Sequence, residues 1–274
     1  MNPDLVVNSL QNPRVKDVVR YRKRTHRDRA DRLIIEGYRE LKRALDNDHR
    51  PDTLFYAQEF FQGGNEDAIV QRCREAEATL IECSAAVFQK IAYRDRPEGL
   101  LALAPQVHGT LVDLPVSDHP LVVVAEGIEK PGNLGSILRS ADAAGVDGLI
   151  VVDECTDLNN PNTVRASIGT LFSVPVAEAS GDETIAWLKK QSISVVAATP
   201  AADTVYSDTD MRGGTAIVVG TEQVGLSAAW TEAADVSVSI PMLGQADSLN
   251  VANAATILLF EAVRQRRAAE GNVE

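Results

Sequence analysis

Cysteine is scarce in this chain, with only Cys73, Cys83 and Cys155 among 274 residues. The three form no CxxC pair, and His26, His49, His108 and His119 form no HxxxH pair. This excludes a disulfide framework and a structural zinc site as organising devices, and no metal is expected. Also missing is any apolar run near the ~18 residues of a membrane helix. Met1 to Leu10 lacks the basic start and apolar core of a secretory leader. The expected setting is the cytoplasm, away from any membrane. Basic charge is in deficit too: 27 Lys+Arg stand against 39 Asp+Glu, a net of -12. Taken whole, that excess argues against a polyanionic partner. What remains is ordinary: 45% hydrophobic and 24% charged residues, the balance of a globular protein. The length suggests two domains, each able to bury a core.

The charge is unevenly placed. Residues 1–50 carry 13 Lys+Arg and 8 Asp+Glu, whereas residues 111–274 carry 9 and 22. Arg14 to Arg32 holds nine basic residues against three acidic ones. At physiological salt, charges beyond about 8 Å are largely screened, so such a run can bind phosphate whatever the rest of the molecule carries. The alternative is a solvated helix face with Arg27 and Arg29 near Asp28 and Asp31.

Apolar patterning divides the chain. Leu33–Gly37, Thr53–Tyr56, Thr79–Glu82 and Leu100–Ala104 read as strands, interleaved with helices at Tyr38–Leu45, Glu66–Ala76 and Ala85–Ala92, the last with Ser84 as N-cap. Residues 1–104 thus form an α/β domain. Residues 105–119, rich in Pro with little periodicity, are expected to be the linker. In residues 120–274, Leu121–Ala125 is a continuous apolar run of the kind buried on both faces of a parallel sheet. Leu134, Ile137, Leu138 and Ala141 recur at helical spacing. Gly148–Val152, Ile193–Ala198, Thr215–Val219 and Val236–Ile240 follow as strands, and Leu249–Arg267 as a long helix. Strands alternating with helices predict a mainly parallel, doubly wound sheet.

Three loops follow strands of this second sheet, where such folds bind ligands. The first runs from Glu129 to Arg139 and contains Asn133 and Gly135; it has neither GxGxxG nor GxxxxGK[ST] spacing, which disfavours a dinucleotide enzyme or a P-loop. The second, Val219 to Ser227, holds Glu222 between Gly220 and Gly225. The third, Ile240 to Val251, brings Ser248 and Asn250 to a helix start, where each also suits a cap.

In this order and context the loops resemble the three motifs of the SpoU/TrmH family of RNA 2'-O-ribose methyltransferases, within the SPOUT superfamily. Asn133, Gly135 and Arg139 meet its Asn-x-Gly-x-x-x-Arg pattern. Gly220, Glu222, Gly225 and Leu226 meet Gly-x-Glu-x-x-Gly-Leu, and Ile240-Pro241-Met242 with Ser248-Leu249-Asn250-Val251 meets the third motif. Arg165 to Gly169 resembles the family's Ser-x-Gly segment. Ser9 to Lys16 and Glu36-Gly37 resemble its substrate-binding domain, which has a ribosomal-protein-like fold. Lys130, Gln223 and Ala252 depart from common family residues at flanking positions.

The resemblance implies a SPOUT α/β domain with a deep trefoil knot, contrary to unknotted-chain priors. It also implies S-adenosylmethionine as cofactor, held around Thr199, Gly220, Ile240, Met242 and Leu249, and a homodimer with its site built across the interface. Asn133, Arg139, Glu222, Ser248 and Asn250 are the implied catalytic set. Because a guanidinium gives up its proton only with great difficulty, Arg139 is read as an orienting and charge-stabilising group rather than a base. Arg14, Arg20, Arg22, Lys23, Arg24 and Arg27 are the candidate RNA contacts. Ribosomal RNA is preferred as substrate over transfer RNA. A noncatalytic RNA-binding or ribosome-assembly protein is the alternative from another class.

Overall fold

The computed structural model describes residues 4–153, 156–221, 223–269 and 271. Cys155 and Glu222 therefore lie outside the described residues. The chain forms two compact units: Met1–Val107 with Asp157–Ser173, and His108–Thr156 with Val174–Glu274.

The first unit contains β1 (Leu5–Val7), α1 (Pro13–Arg20), α2 (Arg24–Ala30), β2 (Leu33–Glu36), α3 (Tyr38–Asp46), β3 (Thr53–Tyr56), α4 (Glu66–Glu75), β4 (Thr79–Cys83), α5 (Ala85–Ile91) and β5 (Leu100–Ala104). Its sheet has the order β1-β4-β3-β5-β2, with β5 antiparallel to both neighbours. Pro13 occupies the first turn of α1, and the Asn12 side chain accepts a bond from the Arg14 N–H at 2.9 Å. Pro lacks the N–H that a first turn leaves unpaired, so both residues favour a start here. Val15 and Val18 then face a core with Ile34, Phe55, Ile81, Phe88 and Leu101. Ser84 stands at the N-cap of α5, but its side chain makes no capping bond.

The second unit contains β6 (Leu121–Glu126), α6 (Pro131–Ala144), β7 (Gly148–Val152), β8 (Val176–Ala179), α8 (Gly181–Lys190), β9 (Ser194–Ala198), β10 (Thr204–Val205), β11 (Thr215–Val219), α9 (Ala228–Ala233), β12 (Val236–Ser239) and α10 (Val251–Ala269); α7 (Pro161–Ala166) belongs to the first unit. The seven strands run parallel in the order β10-β12-β9-β11-β6-β7-β8. Ile217 lies between Val123 and Val196, and all five β11 residues are buried, as befits a central strand covered on both faces. The chain builds β6-β7-β8 in one direction, places β9 on the far side, and later inserts β11 between β9 and β6. Such a reversal opens a crevice at the strand ends.

The division differs from a single cut at 105–119. Residues 157–173 follow β7 in sequence yet group with the first unit, because long-range bonds hold them there. Arg27 is ion-paired to Asp157. The Val107 N–H donates to Asn159 Oδ1 at 2.7 Å, and Arg43 Nη1 donates to the Ile168 carbonyl at 2.5 Å. Gly169, at φ 85, passes so close to α3 that a Cβ would stand 2.9 Å from Glu40 Cα. Among the described residues no helix is long and apolar enough to cross a membrane, and no His/Cys/Asp/Glu group is arranged to hold a metal.

Candidate active site

The carboxyl ends of β12, β9 and β11, adjacent in the sheet, surround a cavity of about 540 Å³ in the second unit. Thr199, Gly220, Ile240, Met242 and Leu249, the five residues assigned to the cofactor, all line it, together with Ser248. Val219, Val238 and Val251 add apolar wall; Asp247 and Thr221 add polar groups. The volume and the mixture of apolar wall with a few polar groups suit a small organic ligand.

Gly220 shapes this cavity by absence. Thr221 and Gly225 exchange two backbone bonds of 3.1 Å, folding the loop back on itself. A Cβ at Gly220 would lie 2.4 Å from the Gly225 carbonyl oxygen, so only glycine admits the fold-back. The far end of the loop is tied by Glu126, a buried carboxylate ending β6, whose Oε2 accepts the Ser227 N–H at 2.9 Å. Sequence reasoning passed over Glu126. Its signal was a charged residue closing an otherwise apolar strand.

Asn133 is the third residue of α6, and Asn250 immediately precedes α10. Asn250 Oδ1 accepts the Ala252 N–H at 3.0 Å, and its Nδ2 donates to Asn133 Oδ1 at 3.2 Å. Farther along the same two helices the Ser140 and Thr256 hydroxyls meet at 2.6 Å. Asn133 lines a small cleft with Ile128, Glu129, Lys130, Thr221 and Val251; the last two also line the larger cavity, so the spaces adjoin.

Arg139 is not brought to this cluster within the chain. It is exposed, six residues beyond Asn133 in α6, a rise of about 9 Å. It makes no hydrogen bond or ion pair with another described residue. Ser248 is exposed at the cavity mouth.

The basic run is only partly a surface. Arg14 and Lys23 are exposed. Arg20 pairs with Asp17 at 3.2 Å and Arg24 with Asp28 at 3.3 Å, solvent-exposed pairs that a stronger anion can displace. Arg22 Nη2 donates to the carbonyls of Lys90 and Ala92 at 3.0 and 2.6 Å, closing the end of α5. Arg27 is a correction. It is 1% exposed, bonded to Asp157 and to the Tyr21 carbonyl, and cannot meet RNA.

Comparison with known proteins agrees with this geometry. The model of the SpoU rRNA Methylase family matches residues 120–260, and that of the MRM3-like substrate binding domain matches residues 12–102. The 23S rRNA (uridine(2479)-2'-O)-methyltransferase of Streptomyces viridochromogenes is 34% identical over 252 residues, covering 89% of this chain and 86% of that protein. A crystal structure described as an RNA 2'-O ribose methyltransferase is 42% identical, with a TM-score of 0.84 over 96% of this chain and 99% of that one. The rRNA methyltransferase of Sinorhizobium meliloti, solved with AdoMet bound, is 33% identical with a TM-score of 0.86 over 94% and 97%.

Proposed function

From the premise that the chain belongs to the SpoU rRNA Methylase family, we propose that it methylates the 2'-hydroxyl of a ribose in ribosomal RNA, with S-adenosylmethionine as donor. The observation that carries this reading is the cavity at the ends of β12, β9 and β11, where Gly220 of the second motif, Ile240, Met242 and Leu249 of the third, and Thr199 line one space. Ile240, Met242, Leu249, Val219 and Val238 offer apolar surface to an adenine ring, and Thr199, Ser248 and Asp247 offer polar atoms to a ribose and an amino acid. The donor, when bound, supplies a methyl group on a positively charged sulfur. In the transfer the ribose oxygen gains a bond to that methyl carbon, the carbon–sulfur bond breaks, and the hydroxyl proton passes to solvent.

In this reading the Asn133–Asn250 bond, beside the small cleft that adjoins the donor cavity, favours in-line attack by limiting the poses a ribose can take. In this reading Arg139 orients the ribose hydroxyl and steadies the charge that grows on its oxygen. Its exposure and distance along α6 leave a single chain's cavity without that guanidinium, which supports a homodimer in which a second copy delivers it. Val224, Leu243 and Phe260 are large apolar residues left exposed on the same unit, as an interface would require. The trefoil knot belongs to this reading, as do a cytoplasmic location and an RNA contact through Arg14, Arg20, Lys23 and Arg24. The late insertion of β11 beside β6 is compatible with the knot.

Calorimetry with S-adenosylmethionine, followed by transfer of labelled methyl to protein-free ribosomal RNA, tests the proposal. Arg139→Ala is expected to keep donor binding and lose transfer by at least about 100-fold. Donor binding absent from the parent protein, or transfer unchanged in the variant, contradicts it.

A further inference from the structure

The first unit holds an open groove of about 810 Å³ whose lining residues differ from those of the donor cavity. It is lined by the start of α3 (Tyr38, Arg39, Glu40), the 62–66 turn, residues 94–98, and Arg165 with Ile168 from the segment 157–173. Its formal charge is close to balanced, so the individual partners decide what it can bind. Glu66 is spent on its own turn: its carboxylate accepts the N–H groups of Gln62, Gly63 and Asn65 at 2.9, 3.1 and 3.2 Å. Glu40, 3% exposed, accepts from Arg94 Nη2 at 2.6 Å, and Glu98 pairs with the other arm of Arg94. Beneath them Glu36 accepts the Tyr93 and Arg94 N–H groups at 2.7 and 3.2 Å. Burial holds the Glu36 and Glu40 carboxyls above the usual carboxylate range, opposed by Arg94 and, for Glu36, by the Tyr93 N–H. Arg94 is therefore an internal brace.

The other cations are not consumed. Arg39 and Arg96 are exposed and make no hydrogen bond or ion pair with another described residue. Arg165 is exposed and bonds only the neutral amide of Asn162, at 3.0 Å. Against these three guanidiniums the rim offers one exposed acid, Asp95. Tyr38 supplies an aromatic ring, and Gln62 and Asn65 supply amides able to donate and accept. Forked guanidiniums bind phosphate by contact, an aromatic ring stacks an unpaired base, and amides read base edges.

We infer that this groove grips single-stranded or looped RNA, with Arg39, Arg96 and Arg165 on successive phosphates and Tyr38 against a base. The inference rests on the proposed RNA substrate and places its grip in the groove as well as on the N-terminal basic run. It also gives the segment 157–173 a task. Arg43 on the Ile168 carbonyl and Gly169 against Glu40 anchor that segment, and Arg165 is the group so delivered.

The test is fluorescence anisotropy of the full chain with a short labelled single-stranded RNA of mixed sequence, titrated at several salt concentrations. Arg39→Gln/Arg96→Gln/Arg165→Gln is expected to bind at least about tenfold more weakly at low salt. The slope of log K against log salt should fall by about 2, since each phosphate contact on a single strand contributes about 0.7. Donor binding and the thermal melt should match the parent. If the triple variant melts early, Arg96→Gln alone should lower the slope by about 0.7. Parental affinity and slope in the folded variant overturn the inference. So does polyglutamate that competes as well as RNA for the parent and not for the variant, which would mark a dock for acidic protein. A parent protein that binds no donor defeats the methyl-transfer reading and leaves the RNA measurement intact.

Discussion

Asn250 donates its side-chain N–H to Asn133 across 3.2 Å, joining the start of one helix to the start of another 117 residues earlier. The same Asn250 side chain also caps α10 through Ala252. Two substitutions separate these roles. Asn250→Asp keeps an acceptor for the cap at a helix start that favours negative charge, and loses the donor to Asn133. Its stability should stay near the parent's while turnover falls, by about 100-fold if the ribose shifts by an ångström. Asn250→Ala should also lose about 1 kcal/mol of stability. Chemical denaturation beside a methyl-transfer assay distinguishes the two. Equal turnover in parent and Asn250→Asp would show that the link does not serve the chemistry.

Gly220→Ala puts a methyl group 2.4 Å from the Gly225 carbonyl oxygen, a backbone atom that must move with its loop. The expected outcome is a folded protein destabilised by about 1–3 kcal/mol, with donor affinity reduced at least about tenfold in calorimetry, a change equivalent to about 1.4 kcal/mol. Parental donor affinity would mean that the fold-back does not shape the cavity.

Arg27 is buried and its partner Asp157 is half-buried within the first unit, so losing one leaves the other charged and without its mate. Arg27→Ala should cost about 3–5 kcal/mol in denaturant unfolding. Where the variant remains folded, its RNA affinity should match the parent's. A stable variant with weakened RNA binding would restore Arg27 to the nucleic-acid surface.

His49 stacks on Phe172 with ring centroids 4.7 Å apart, and its Nε2 lies 2.9 Å from the Pro105 carbonyl oxygen. Burial holds its pKa below the ordinary 6.5, with the carbonyl bond and Asp52 opposing. Below about pH 6.5 the unfolded chain takes up a proton that the folded imidazole refuses. Its contribution to stability is therefore complete above that pH and declines as the solution is acidified. Thermal melts from about pH 8 to about pH 5 should show that decline, and His49→Gln should flatten it. An unchanged pH profile in His49→Gln would place the acid sensitivity elsewhere.

Local pattern carried much of this architecture. Leu121–Ala125 and Ala216–Val219 are apolar throughout because parallel strands are covered on both faces, and both lie in central strands. The first two motif loops were legible for the same reason, since each follows such a strand; the third follows β12, an alternating Val-Ser strand that is mostly half-buried, and was legible from its motif residues instead. Contacts between distant positions were not legible. Nothing around Arg27 distinguishes it from Arg24 or Arg29; its burial depends on Asp157, 130 residues away. The grouping of residues 157–173 with the first unit depends on the same bond and on Asn159 and Arg43. The brace of Glu36, Glu40 and Arg94 left one hint, a glutamate at the end of a wholly apolar strand. Arg139 shows the limit differently. Its motif position was plain, and its distance from Asn133 appears only once α6 is built.

Mapping 2'-O-methylation across total RNA from cells with and without the gene tests the central claim most directly. The account predicts that one ribose methylation in ribosomal RNA disappears in the deletion and returns with the parent gene, and does not return with Arg139→Ala. A methylation map unchanged by the deletion would contradict it.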